Sequence, residues 1–201
     1  MRYWSFLLPI LLFSLATCQS QPPPPSTPSP SESRHFSETG HTVQGDFLHF
    51  FDMYGGVESF GLPLTEEIVV DGWRVQYFSK ARLEYHPENE PAYRVTAGWL
   101  GELLRRRQPP IPTGHIPPAN DSRRRYYPET GHTLSGDFLT YFDSHGGKVR
   151  FGFPISEPFL WEGRVAQDFQ SARFFWTPET NRPVTLEDTG RVHLESTHFE
   201  Q

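Results

Sequence analysis

The sequence predicts an α+β protein made of two tandem repeats, each one helix packed on a small antiparallel sheet, and three observations predict it. The first is internal identity. Subtracting 91 from the second stretch lays Glu129–Thr133 on Glu38–Thr42, Gly136–Leu139 on Gly45–Leu48, and Phe151, Gly152 and Pro154 on Phe60, Gly61 and Pro63; about 25 of the 55 positions from Arg34 to Glu88 are identical. The second is periodicity: Val43, Phe47, Phe50, Phe51 and Tyr54 recur at three- and four-residue spacing until Gly55-Gly56, as Leu134, Phe138, Tyr141 and Phe142 do until Gly146-Gly147. The third is an Asp71-Gly72 turn between two β-rich runs, matched by Glu162-Gly163.

Residues 1–18 read as a signal peptide. Arg2 supplies a short charged start and Trp4–Leu15 an apolar run too short to remain as a membrane-spanning helix. The tetrapeptide Leu15-Ala16-Thr17-Cys18 resembles a bacterial lipobox, which implies lipidation of Cys18 and a lipid anchor in the membrane. Cys18 is also the only cysteine, so no intramolecular disulfide and no cysteine-based metal site is expected. Residues 19–33 are a Pro/Ser-rich tether with nothing to place in a core.

The first unit spans 34–104 and opens with the helix, Thr42 serving as N-cap. Phe60-Gly61-Leu62-Pro63 then makes an aromatic anchor and a turn, Ile68–Val70 and Arg74–Phe78 a hairpin, and Arg82–Tyr85 a third strand. Residues 105–124 form a Pro-rich linker flanked by the Arg105–Arg107 and Arg123–Arg125 triplets, read as a solvated boundary. The second unit, 125–199, repeats the pattern with Thr133 as cap. One unit of this size buries little core, so the two are expected to pack on each other or on copies in a partner chain.

The 201 residues are 36% apolar, and the 17 phenylalanines need cores if the chain is to stay soluble, which excludes disorder throughout. A formal charge of −6 leaves no general basic field for a nucleic acid backbone, so nucleic acid is not an expected partner.

With Phe-Gly-x-Pro set between a Gly-Gly-ended helix and a hairpin, and with Tyr126-Tyr127-Pro128-Glu129-Thr130-Gly131-His132 opening the second copy, the chain resembles the LGFP repeats of bacterial cell-surface proteins. The resemblance covers about 55 residues of each copy. It implies a non-catalytic module that holds a protein on the cell wall through its polysaccharide, and hence an extracytoplasmic, lipid-anchored place in the bacterial envelope.

The polar residues repeated in both copies are the candidates for chemistry: His41, Asp46, Glu66 and Arg82, matched by His132, Asp137, Glu157 and Arg173. His41 with Asp46 makes an oriented general base conceivable, and Glu66 with Asp46 a carboxylate pair. The structural reading is preferred: His41 just before the helix cap, Asp46 in the first turn, Arg82 paired with Glu66. No nucleophile elbow, metalloprotease helix or phosphate loop occurs, so no catalytic residue, metal or cofactor is expected. A sugar site needs exposed ring faces beside polar groups, and Trp73 and Trp161 at the hairpin tips are the candidate ligand-binding residues; Trp99 and Trp176 lie further on. Under the offset Trp73 falls on Arg164 and Trp161 on Val70. The expected partner is cell-wall or surface polysaccharide. The alternative is a protein-protein interaction module on the outer face of the membrane, serving an extracytoplasmic enzyme or transporter.

Overall fold

The computed structural model describes residues 32–178 and 180–198. Cys18, the apolar run before it and the tether as far as residue 31 lie outside the described residues. The fold is mixed α+β, with small antiparallel sheets and six α-helices among the described residues.

The first half begins with a hairpin of β1 (Ser33–Phe36) and β2 (His41–Gln44), followed by α1 (Gly45–Met53) and α2 (Gly56–Phe60). A four-stranded sheet comes next, in the order β3 (Ile68–Val70), β4 (Trp73–Phe78), β5 (Ala81–Tyr85), β6 (Val95–Ala97), and then the single turn of α3 (Leu100–Leu103). The second half has the hairpin β7 (Arg124–Tyr127) and β8 (His132–Ser135), then α4 (Gly136–Ser144) and α5 (Gly147–Phe151). Its sheet consists of β9 (Phe159–Trp161), β10 (Arg164–Asp168), β11 (Arg173–Trp176) and β12 (Val184–Leu186), and α6 (Thr189–His198) closes it.

Several local expectations are corrected. Thr42 and Thr133 do not cap helices: both lie in strands, because residues 41–44 and 132–135 pair with the segments before the Thr-Gly turns. The helices start three residues later, with Gln44 and Ser135 as N-caps that make no side-chain cap bond. Asp46 and Asp137 do sit in first turns, where a negative charge meets the helix dipole. The Gly-Gly pairs both end one helix and begin the next: Gly55 and Gly146, at φ 102° and 94°, are left-handed caps of α2 and α5. The strands β6 and β12 are three residues long and carry no pattern that marks them in the sequence.

Each sheet presents one face to a phenylalanine core. In the first half Phe47, Phe51 and Phe60 from the helices meet Phe78, Leu83 and Val95 from the sheet, with the Phe51 and Phe78 rings stacked at 5.2 Å. In the second, Phe142 stacks on Phe169 at 5.7 Å and Phe174 packs on Phe169 at 4.1 Å. Buried rings at these spacings combine apolar burial with favourable ring geometry.

The halves are joined by a reciprocal contact. The start of α3 docks on the β10–β11 turn, where Gly101 N–H donates to Gln170 O at 2.8 Å, and the start of α6 docks on the β4–β5 turn, where Arg191 N–H donates to Ser79 O at 3.0 Å. The second residue of each helix is a glycine pressed against backbone: a Cβ on Gly101 would lie 2.1 Å from Phe169 O, and one on Gly190 2.0 Å from Phe78 O. Between them Arg150 crosses the seam, fully buried, donating to Ser59 Oγ at 3.0 Å and Ser59 O at 2.7 Å. Residues 150 and 59 stand 91 apart, the offset that relates the matching segments of the sequence. The Pro-rich segment is docked as well: Gln108 N–H donates to Ile155 O and Ile111 N–H to Gly131 O. Its flanking arginines are largely paired, Arg106 with Glu187 and Arg125 with Asp143, which corrects their reading as a merely solvated boundary.

Candidate functional site

Of the repeated polar residues, His41 and Glu66, with His132 and Glu157, share one structural task, fixing the N-terminal hairpin of each half to its sheet. Glu66 Oε1 accepts from Thr42 N–H at 3.0 Å and lies 3.3 Å from His41 Nδ1. Glu157 is held more completely, by Thr133 N–H at 2.7 Å, Thr133 Oγ1 at 2.6 Å and Arg124 at 3.2 Å. His132 Nδ1 stands 3.4 Å from the same carboxylate, an ionic contact without hydrogen-bond geometry, while its Nε2 faces Gln108 O at 3.1 Å. Beneath, the buried amides of Gln76 and Gln167 each donate to two carbonyls, those of Thr42 and Thr65 and those of Thr133 and Ser156.

Sequence reasoning placed Arg82 on Glu66; the structure places it on Glu84, two residues on in the same strand, and Arg173 on Asp168 of the facing strand at 2.7 Å. Pairing within a sheet explains this: Tyr77 faces Arg82 and Asp168 faces Arg173 on the side turned away from the core, whereas Glu66 lies at the hairpin. His41 bonds Glu66 and not Asp46, so the two are not brought together as a base and its orienting acid.

Burial pushes the Glu157 carboxyl up, but the contact with His132 and the bonds from Thr133 and Arg124 outweigh it and bring its pKa down to about 2 from the ordinary 4.5. A depressed carboxyl stabilises the fold above its unfolded pKa, and the contribution disappears as pH falls from about 4.5 to about 2. Glu157→Gln is therefore expected to lower stability by roughly 2 kcal/mol at pH 7 in urea unfolding. The gap should close as the titration reaches pH 2, and a gap independent of pH would refute the assignment.

The two hairpin-tip tryptophans, which do not coincide under the offset, occupy the same place in the fold. Val70 faces Trp73 across β3 and β4, and Trp161 faces Arg164 across β9 and β10. Directly opposed residues share a face, so each half carries one tryptophan in the last pair of this hairpin, on opposite strands but on the same outer side. Their surroundings differ. Trp73, 38% exposed, packs on His86 with ring centres 4.4 Å apart and planes tilted by 42°; Trp161, 42% exposed, has the Arg173 guanidinium 4.5 Å over its ring and Phe159 against its edge.

In the first half this outer face opens into a groove of about 480 Å³, lined by Arg82, Glu84, His86, Asn89, Trp99 and Glu102 among others. Trp99, 57% exposed, is the aromatic residue of the lining, and Trp73 backs the groove through His86. The polar groups are held in place. His86 lies between Glu84 at 3.3 Å and Glu88 at 3.1 Å, and Arg82 donates to Glu84 at 2.8 Å and to the Tyr77 hydroxyl at 3.1 Å. Tyr77 in turn meets His193 of α6 at 3.0 Å, so the second half braces the floor of the groove. Burial, then the charge of Arg82, pushes the His193 imidazole down, which keeps it neutral as a partner of the phenol. Gly98 lies so close beneath that a Cβ there would stand 2.3 Å from Glu84 Oε1. The same face of the second half is filled by its own side chains: Arg164 lies 3.7 Å over the Phe175 ring, and Arg173 is held between Asp168 and Trp161.

Sequence reasoning noticed Trp99 but did not connect it with Trp73, and it missed His86, Glu84, Asn89 and Glu102. The available signal was the alternation in Arg82-Leu83-Glu84-Tyr85-His86, which puts three polar side chains on one face of a strand. Among the described residues no group of three or more His, Cys, Asp and Glu is placed to hold a metal ion, and no helix is long and apolar enough to cross a membrane. Compared with known proteins, the chain matches no protein-family model and no curated protein.

Proposed function

We propose that the chain is a non-catalytic surface lipoprotein whose two halves are tandem copies of one module, held on the membrane through Cys18, and that it adheres to cell-wall or surface polysaccharide. The observation that carries the reading is the outer groove of the first half. It combines an exposed indole, Trp99, and an indole–imidazole pair in tilted contact, Trp73 and His86, with fixed charged and amide groups between them. Pyranose rings present an apolar C–H face and a rim of hydroxyls, and both requirements are met in one place. Planar carboxylate, guanidinium and amide groups already locked in position accept and donate to hydroxyls with little further ordering cost.

The test is retention of the full chain on purified wall polysaccharide. Trp99→Ala and Trp73→Ala are each expected to weaken binding by about 1 to 3 kcal/mol, roughly tenfold or more, while the melting curve stays in place. Trp161→Ala, whose ring is already covered on one side by Arg173, is expected to lose less. Normal binding by both first-half variants would overturn the reading.

A second reading, a protein partner, is favoured by Val69 and Leu160. They occupy equivalent positions on the edge strands β3 and β9 and are 70% and 74% exposed, as an added strand from another protein would require. Loss of a stoichiometric protein from an envelope pull-down on Val69→Lys, with polysaccharide retention absent in wild type, would establish it instead.

A further inference from the structure

A second cleft, of about 410 Å³, lies along the seam between the halves and shares no lining residue with the outer groove. Its walls come from both halves, Glu58 and Lys80 from the first, Tyr141, His145 and Arg182 from the second. One wall is a stacked pair, the Tyr141 and His145 rings 3.8 Å apart and 13° from parallel. His145 is fixed there by Ser144 Oγ and Tyr141 O, each 2.9 Å from Nδ1.

Two cationic side chains, Lys80 and Arg182, and two carboxylates, Glu58 and Asp137, line the cleft. Lys80 Nζ is half-buried and donates to a carbonyl, Glu58 O, at 2.9 Å; burial pushes its amine down. Arg182 makes one exposed contact, Nη1 to Glu58 Oε1 at 2.7 Å, a pair of the kind that contributes little. Behind them sits Arg150, fully buried between the Phe60 and Phe151 rings with no carboxylate paired to it and with Nη1 unpartnered among the described residues. Its charge acts on both Lys80 and Tyr141. Of the carboxylates nearby, Asp137 is engaged by Trp176 Nε1–H at 2.7 Å, Asp188 acts on Lys80 from outside the lining, and Glu58 is exposed and replaceable.

We infer that this seam cleft is a second binding site, selective for an acidic sugar, with the sugar carboxylate held by Lys80 and Arg182 in place of Glu58 and the ring against Tyr141 and His145. A carboxylate only accepts hydrogen bonds, and Lys80 and Arg182 only donate them; with Asp137 engaged by Trp176, Glu58 is the acidic group such a ligand would displace. The ring stack supplies the apolar face that a simple inorganic anion would leave unused.

The test is calorimetric titration of the full chain with trigalacturonate and with the same trisaccharide after reduction of its carboxyl groups. The acidic form is expected to bind about tenfold or more tightly than the neutral one. Arg182→Gln, an exposed change that leaves the seam intact, should erase most of that preference, as should Lys80→Met, while Trp73→Ala should not alter it. Equal binding of both trisaccharides, no binding of trigalacturonate, or a preference lost in Trp73→Ala but kept in Arg182→Gln would overturn the assignment. The last outcome would place the acidic sugar in the outer groove. Failure of wall-polysaccharide retention in wild type alongside a carboxylate preference that depends on Arg182 would separate this site from the outer one.

Discussion

Gly190→Ala is expected to destabilise the protein by about 3 kcal/mol or more, and Gly101→Ala by a similar amount. Each methyl would enter at 2.0 to 2.1 Å from a backbone carbonyl of the opposite half, Phe78 O for residue 190 and Phe169 O for residue 101. Those oxygens belong to tight turns at the ends of the core strands, so the relief has to come from lifting α6 or α3 off the seam. That would break the Arg191–Ser79 or the Gly101–Gln170 backbone bond and open the packing of Tyr77 on His193. The control is Gly72→Ala, where φ is 84° but nothing lies within 4 Å; left-handed strain alone should cost only about 1 kcal/mol. Thermal and urea unfolding of the three variants decide the matter. Equal losses at residues 72 and 190 would mean that seam packing contributes nothing beyond local backbone strain.

Asp168→Asn is expected to cost about 3 to 5 kcal/mol, the range for removing one partner of a buried ion pair. Asp168 and Arg173 are both almost wholly buried and joined by two bonds, at 2.7 and 3.1 Å, with Arg106 a further 3.8 Å contact of the carboxylate. Burial pushes the Asp168 carboxyl up more strongly than Arg173 and Arg106 pull it down. The expected cost of taking the acid away therefore comes from the Arg173 guanidinium, which stays buried without its nearest partner. Neutralising the acid leaves the Arg173 guanidinium with Glu187 at 3.4 Å as its remaining carboxylate. The double variant Asp168→Leu with Arg173→Met should recover most of the loss, because apolar side chains of similar volume carry no desolvation penalty. If the double variant is no more stable than Asp168→Asn, the ion pair is not the cause.

The outer groove and the seam cleft show where reading along the chain stopped. Trp73 and Trp161 looked unrelated because an offset compares residues one by one, whereas a hairpin relates them across strands; only the register of Val70 with Trp73 and of Trp161 with Arg164 makes them equivalents. Trp99 reaches the same face through a three-residue strand and one helical turn, elements too short to show periodicity. The hairpins at residues 33–44 and 124–135 escaped because Thr followed by an acidic first turn is also the signature of a helix cap, and strand pairing with a neighbouring segment overrode it.

What the sequence determined by itself was the α+β class, the Gly-Gly boundaries, the phenylalanine stripe facing the core and the Asp71-Gly72 hairpin, since each rests on spacing or backbone freedom within a few residues. The tertiary structure alone decided which carboxylate each arginine meets, and that the glycines opening α3 and α6 press on the opposite half. It also decided that Arg150 is buried against Ser59, and that a cleft forms where the halves join. The seam features depend on contacts between residues about 70 to 120 positions apart, as between Gly101 and Gln170 or Tyr77 and His193. Such pairs are selected by the packing of whole faces and leave no local pattern in the chain.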